Sequence, residues 1–342
     1  MIILKKLENT HINSSKRLNE MKKILFLTCM LLLFTGCQKQ DKNFNEENKN
    51  DKLETVPYLS ITESYYSDEK EEEMKSKVII YDTHNTKYIG SVPYTSQYPL
   101  TLYSKDDDNI YYTAYSGKGD QVYDNKLKRK LTKDFCAFNY ITKCGDKFFS
   151  IATYLMHRGL EPLIFDSKFS EYKQLIEDKK DDIITWSMAV DYKKHIVFFS
   201  TYSSKEDRKM CEIDKVAKST VYAYYIDTEK IEKVYSTDMN IIGMAASDGK
   251  IYFTASKKYV PEDDDYRTYY YDIKNKKEIE LKFDARISGN MEIIDDKMYF
   301  LGYVDKRRGI FSVDLKTKNT APVMYEDEDE FINGFSLNYY FK

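Results

Sequence analysis

Histidine, cysteine, tryptophan and any surplus of charge are in short supply in this chain of 342 residues, and each shortage removes a class of function. The four histidines, His11, His84, His157 and His195, stand far apart, and no pair has metal-ligand spacing. No His-Glu-x-x-His, Cys-x-x-Cys, phosphate loop or dinucleotide fingerprint occurs, so no metal and no cofactor is assigned. Beyond residue 37 only Cys136, Cys144 and Cys211 remain, an odd number that cannot all pair within the chain. Buried apolar thiols are expected, with Cys136 and Cys144 on or beside adjacent strands of one hairpin. Lys+Arg 53 against Asp+Glu 56 leaves a formal charge of -3, so there is no basic field to hold nucleic acid, and none is expected as a partner. The longest apolar run, residues 24–35, falls short of the ~20 residues that a membrane-spanning helix needs.

What is abundant points to strands. Hydrophobic residues make up 42% and aromatics 15%, and the 32 tyrosines suit half-buried pleated faces. The N-terminus reads as an address. Met21-Lys22-Lys23 opens a basic start, the apolar run follows, and Gly36 precedes Cys37, which together form a signal peptide over residues 1–37 with Met21 as the expected start. The ending Leu33-Phe34-Thr35-Gly36-Cys37 resembles a bacterial lipobox. That resemblance implies a lipidated Cys37 and a protein held to the cell membrane on its extracytoplasmic side. Phe34 departs from the aliphatic residue usual there, while Gly36 and Cys37 occupy the stringent positions. Residues 38–56 are almost free of apolar side chains and read as a disordered polar tether with a reach of roughly 25 Å.

The rest of the chain, residues 57–342, is a repeat. One unit is plainest: a strand over 241–246, a turn at Asp248-Gly249, strands over 250–256 and 267–272, and a fourth over 278–283. Its third strand ends on an apolar residue followed by Asp, and that pair recurs as Tyr81-Asp82, Tyr123-Asp124, Phe165-Asp166, Ile226-Asp227, Tyr271-Asp272 and Val313-Asp314. A repeat every 40 to 60 residues means stacked supersecondary units. Each Asp is placed to accept from backbone N–H groups two residues on and so fix a tight turn. The second strands, beginning at Asn109, Asp146, His195, Lys250 and Lys297, are short apolar runs of the kind buried on both faces. The sixth unit takes residues 331–341 as its innermost strand and 58–66, 77–82 and 88–92 as the other three. The expected fold is an all-β propeller of six four-stranded blades, closed by pairing of its N- and C-terminal strands, with a β-sandwich as the alternative.

This pattern resembles the six-bladed propellers of the TolB type and the propeller lipoproteins of low-GC Gram-positive bacteria, over essentially the whole of 57–342. The single Trp186 removes the Trp-Asp and Asp-box signatures of other propeller classes.

Chemistry is harder to find. Gly334-Phe335-Ser336-Leu337-Asn338 fails as a nucleophile elbow, because Asn replaces the second Gly and no helix follows. The acidic runs 106–108, 262–265 and 326–330 lack the spacing of a calcium loop and read as solvated turns. Two functions remain. One is a non-catalytic binding or interaction module for a cell-surface ligand or membrane protein; the other is an extracellular enzyme, a lyase or metal-dependent hydrolase, with its site in the ring mouth. The long connections, 67–76, 153–161, 202–219, 257–266 and 304–308, are expected on one rim, with Tyr202, Arg208, Tyr259, Tyr266, Arg307 and Arg308 as contacts, since Tyr and Arg dominate binding surfaces. Replacing Cys37 with Ser is expected to shift the protein from membrane to medium or to leave an uncleaved precursor. A variant that fractionates and migrates like wild type would sink the lipobox reading.

Overall fold

The computed structural model describes residues 56–66, 74–81, 86–93, 99–155, 159–177, 182–262 and 265–340. Residues 1–37 with Cys37, and the tether as far as residue 55, lie outside the described residues. Six four-stranded antiparallel sheets are present, as expected from the repeat. Blade 1 joins both ends of the domain in the order β24 (Glu330–Tyr340), β1 (Val56–Tyr66), β2 (Met74–Tyr81) and β3 (Thr86–Pro93). Blade 2 holds β4 (Thr101–Ser104), β5 (Asn109–Tyr115), β6 (Asp120–Asp124) and β7 (Arg129–Lys130). Blade 3 holds β8 (Phe135–Cys144), β9 (Lys147–Tyr154), β10 (Glu161–Phe165) and β11 (Tyr172–Gln174). In blade 4 come β12 (Ile183–Asp191), β13 (Ile196–Ser203), β14 (Ser219–Tyr225) and β15 (Lys230–Thr237). Blade 5 follows with β16 (Asn240–Ser247), β17 (Lys250–Ser256), β18 (Arg267–Asp272) and β19 (Lys277–Leu281). Blade 6 is β20 (Arg286–Ile294), β21 (Lys297–Val304), β22 (Arg307–Asp314) and β23 (Thr320–Tyr325).

Burial explains why the second strands are apolar throughout. In β9, β13 and β17 five or more consecutive residues are buried, because each face meets a neighbouring blade. Phe198 and Val221 of blade 4 pack with Met244 and Phe253 of blade 5, and Ala245 and Tyr252 of blade 5 pack with Met291 and Phe311 of blade 6. A larger cluster runs through blades 1, 3, 4 and 6, including Leu59, Ile61, Phe149, Phe199, Tyr299 and Leu337. The outermost strands, such as β19 and β23, are mostly exposed or half-buried.

The repeated Asp residues organise the turns between third and fourth strands, though they reach further than expected. Asp124 accepts from Leu127 N at 2.7 Å, Asp272 from Asn275 N at 2.9 Å, and Asp314 from Lys316 N and Thr317 N at 2.9 and 2.8 Å. These bonds hold the Asp272 and Asp314 carboxyls below their ordinary range, led by the N–H of Asn275 and of Thr317 respectively.

Three local expectations are corrected. The segment after Tyr202 is not all loop: α1 (Ser204–Cys211) starts there, capped by Ser203, whose Oγ accepts from Glu206 N at 3.1 Å. Ser203 and Glu206 have the spacing of a capping box, a signal present in the sequence. Between β21 and β22 there is only a two-residue turn, Asp305-Lys306, both with positive φ, so Arg307 and Arg308 lie on a strand rather than in a loop. Finally, Cys136 and Cys144 sit on the single strand β8, near its two ends, and Cys136 is exposed.

Closure is a long antiparallel pairing of β24 with β1, from Val56 opposite Tyr340 to Tyr65 opposite Glu330. Lys77 on β2 braces it, with its Nζ 2.8 Å from Glu63 on β1 and 2.6 Å from Glu330 on β24. Removing residues 331–342 is expected to abolish cooperative melting, since orphaned buried backbone groups cost about 1 to 3 kcal/mol each against a total stability of roughly 5 to 15 kcal/mol. Leu337→Ala alone should cost about 2 to 5 kcal/mol in urea unfolding. A truncated protein that melts like wild type by circular dichroism would refute closure by β24.

Candidate functional site: the crossing rim and its groove

Four antiparallel strands per blade place two kinds of connection at opposite ends of the ring. Loops from second to third strand share one rim with the crossings between blades, called here the crossing rim. On that rim blades 4 and 5 carry the largest insertions. Asp182 accepts from Ser203 Oγ and Lys205 N, both at 2.8 Å, and so anchors α1 to the blade edge. The 257–266 connection is held by Asp265, which accepts from Glu262 N at 2.8 Å and lies 3.0 Å from Lys258 Nζ. A bond of 3.2 Å from Val260 N to Asp214 ties the two insertions together. Tyr202 is half-buried beneath them. Burial, then Asp207 and Tyr259, push its hydroxyl pKa up to about 12, so it stays a neutral donor.

Beside these insertions an open groove of about 810 Å³ runs between blades 5 and 6. Tyr266, Arg267, Phe283, Arg286, Tyr303 and Lys306 are among its lining residues. Arg286 lies over the Tyr303 ring at 4.0 Å, a cation–π contact that holds both side chains in the wall. Arg267 is 3.9 Å from Glu280 on the same wall.

The axis is narrowed by bulges. The innermost strands of blades 1, 3, 4, 5 and 6 are each bulged, which inserts Asn333, Asn139, Trp186, Ile242 and the 288–290 segment respectively. Bulges of this kind turn side chains out of the ladder. They crowd together: a Cβ at Gly334 would come within 2.5 Å of Asn290 Oδ1, and one at Gly243 within 2.4 Å of Gly289 O. The space left beside Thr101, Asn139, Tyr140, Asn290 and Ser336 is about 20 Å³, room for a single water.

Deeper along the axis lies a polar plug. Tyr192, at the end of blade 4, donates to Leu337 O of blade 1 at 2.8 Å and is 2.8 Å from Thr142 Oγ1 of blade 3. Glu292 of β20 is 3% exposed, and burial raises its carboxyl pKa to about 8, opposed only by the backbone N–H of Leu337. It is therefore mostly protonated at neutral pH. Burial, and then Glu292, also raise Tyr140 and Tyr192 well above the usual phenol range.

The expected contact residues divide into three groups. Tyr202, Arg208 and Tyr259 belong to the joined insertions, with Arg208 and Tyr259 exposed. Tyr266 lines the groove. Arg307 and Arg308 have partners of their own: Arg307 covers the Tyr325 ring of blade 6 at 3.4 Å, and Arg308 pairs with Glu326 and donates across the seam to Ile332 O of blade 1 at 3.1 Å. Sequence reasoning missed Arg286, Tyr303 and Lys306, which nothing local distinguishes from other strand ends. It also passed over Glu292, although a charge inside the apolar run Met291 to Ile294 was a visible signal. Among the described residues no cluster of three or more His, Cys, Asp or Glu could hold a metal ion, and no helix is long and apolar enough to cross a membrane.

No protein-family model matches the chain, and no curated protein is similar to it in sequence. Among solved structures it is similar to TolB from Acinetobacter baumannii, with a TM-score of 0.55 and 13% identity over 81% of this chain and 66% of that one. The chain thus spans just under two thirds of that TolB. It is also similar to a chain of a nidogen/laminin complex, with a TM-score of 0.52 and 8% identity over 82% of this chain and 98% of that one. At these identities the likeness is one of fold, a six-bladed β-propeller with TolB-like neighbours.

The plug makes a pH prediction. Folding raises the Glu292 pKa from its ordinary 4.5 to about 8, so its stabilising contribution is complete below the lower value and lost as pH rises through the higher one. Urea unfolding should show wild-type stability falling between about pH 5 and about pH 8, by up to ~1.4 kcal/mol per unit from this group. Glu292→Gln, which cannot ionise, should flatten that limb. Parallel decline in both proteins would show that the carboxyl holds no proton.

Proposed function

We propose that this protein is a lipid-anchored binding module on the extracytoplasmic side of a bacterial membrane, and that it takes its ligand, a cell-surface molecule or membrane protein, on the crossing rim. The observation that carries the reading is the groove between blades 5 and 6, about 810 Å³ and walled by Tyr266, Arg267, Arg286 and Tyr303. Tyr supplies large contact area with two rotatable bonds, and Arg, whose long side chain is otherwise costly to order, is here stacked on Tyr303 through Arg286, which lowers the entropic cost of binding. The leader, the lipobox-like ending and the polar tether support the location, since a domain on such a tether stands clear of the surface with its rims accessible.

The enzyme reading would place a lyase or metal-dependent hydrolase in the ring mouth, where several ionisable groups must converge on a substrate. Glu292, Tyr140 and Tyr192 do converge near the axis, but the space at the bulge ring is about 20 Å³ and Glu292 is enclosed. This geometry supports a structural plug and favours the binding module.

The test is crosslinking in cells followed by identification of what the wild-type protein captures. Arg286→Ala with Tyr303→Ala should weaken capture by about tenfold or more, the scale of losing two anchors worth ~1 to 2 kcal/mol each. Replacing the 257–266 connection by a four-residue turn should do the same if its Tyr259 and Tyr266 touch the ligand. Capture unchanged by both alterations, in variants whose circular dichroism matches wild type, would move the site off this rim.

A further inference from the structure

A second surface lies well away from the groove, along the outer edges of blades 2 and 3. The stretch from Lys126 to Lys133 carries Lys126, Lys128, Arg129, Lys130 and Lys133, five cations in eight residues of a chain whose net charge is -3. All five are exposed, and so is Leu127 at 58%. Lys126 Nζ donates to Asp107 O and Lys128 Nζ to Asn125 Oδ1, while among the described residues none of the five meets a carboxylate.

The local fold explains the opening beside them. Strand β7 pairs with β6 at only two positions, opposite Tyr123 and Asp124. After one more backbone bond, Leu131 N to Val122 O at 2.8 Å, side-chain bonds take over: Thr132 Oγ1 accepts from Val122 N at 2.9 Å and donates to Gln121 Oε1 at 3.0 Å. Because β7 is so short, a hollow remains beside the aromatic residues of blade 3, where Phe135, Phe165 and Phe169 are themselves buried. A pocket of about 300 Å³ results, lined by Leu131, Phe135, Phe165, Phe169 and Tyr172 and flanked by Lys130 and Lys133. Tyr172 is 50% exposed at its mouth. Lysines on an edge strand by themselves would be a guard against strand addition. A guard does not call for an open aromatic pocket next to it.

The same chain carries the complementary segment. Asp327, Glu328 and Asp329, in the crossing from blade 6 to β24, are exposed, and Phe331 close behind them is 38% exposed. Three carboxylates followed at short distance by a phenyl ring match three cations followed by an aromatic pocket. We propose that the basic strip and aromatic pocket on blades 2 and 3 dock the 327–331 segment of a second copy of this chain, so that the propeller self-associates through opposite charges with Phe331 as the apolar anchor.

Sedimentation of the detergent-solubilised full chain tests this. Wild type should self-associate in about 0.1 M NaCl and lose at least about tenfold in affinity in about 1 M NaCl, where the screening length falls from ~10 to ~3 Å. Lys128→Glu with Arg129→Glu and Lys130→Glu should be monomeric, and so should Asp327→Lys with Glu328→Lys and Asp329→Lys. An equimolar mixture of these two variants should associate again, because each supplies the charge the other has lost. Phe331→Ala should weaken wild-type association several-fold. A monomeric wild type at low salt, or a mixture that stays monomeric, overturns the proposal. So does association lost in the strip variant but kept in the acidic-segment variant, which would give the strip a different occupant. A silent Phe331→Ala removes that residue as the anchor.

Discussion

The pairing of β24 with β1 is the constraint on which the rest of the structure depends. Five blades are built from consecutive strands, and each can form its hydrogen bonds locally. Blade 1 cannot, because its innermost strand comes from the other end of the domain. Without β24 one edge of β1 lacks its partner, so closing the ring is a non-local step. The buried or half-buried groups at this seam fit that role: Lys77 between Glu63 and Glu330, Asn333 donating to Ser64 Oγ at 2.6 Å, and Arg308 reaching from β22 to Ile332 O. Each spans two pieces of chain that meet only in the closed ring.

Closure also decides what happens at the axis. Six innermost strands present free edges to a narrow channel, and unpaired backbone there must be satisfied or filled. Bulges do the filling on the crossing side, and deeper down Tyr192, Thr142 and Leu337 link blades 4, 3 and 1 through one hydroxyl. A protonated Glu292 belongs to the same solution, since a neutral carboxyl can sit among phenols where a carboxylate could not. The outcome is a hub linked across three blades, and the larger open spaces lie outward, in the grooves between blades.

Those grooves differ according to how the outer strands end. Between blades 5 and 6 the fourth strand β19 stops at Leu281, and the crossing to β20 leaves Phe283 and Arg286 half-buried in the groove wall beside the β21–β22 turn. Between blades 2 and 3 the brevity of β7 leaves a pocket floored by buried phenylalanines, with Tyr172 exposed at its mouth beside a row of cations. The first gap falls on the rim that carries the long insertions, and the second lies on the outside of the ring. Two surfaces so placed could be occupied together.

Much of this was legible in the residues. The apolar–Asp pairs set the period, the doubly buried second strands identified blades, and the aromatic segment at residues 331–341 was assigned to blade 1 because one strand was missing there. These are local signals: burial on two faces demands an unbroken apolar run, and a tight turn demands a side-chain acceptor. The expected rim of long connections also followed from strand count alone. What the sequence could not supply was which residues from different blades meet. Arg307 and Arg308 looked available, yet strand register turns one onto Tyr325 and the other onto Glu326 and Ile332. Arg286 and Tyr303 lie seventeen residues apart and meet only because the β20–β21 register sets them opposite each other. Tyr192 and Leu337 are farther still, at opposite sides of the ring. Composition and periodicity determined that there would be blades; the closing of the ring decided which side chains face a groove, because that depends on the relative placement of elements that no local pattern encodes.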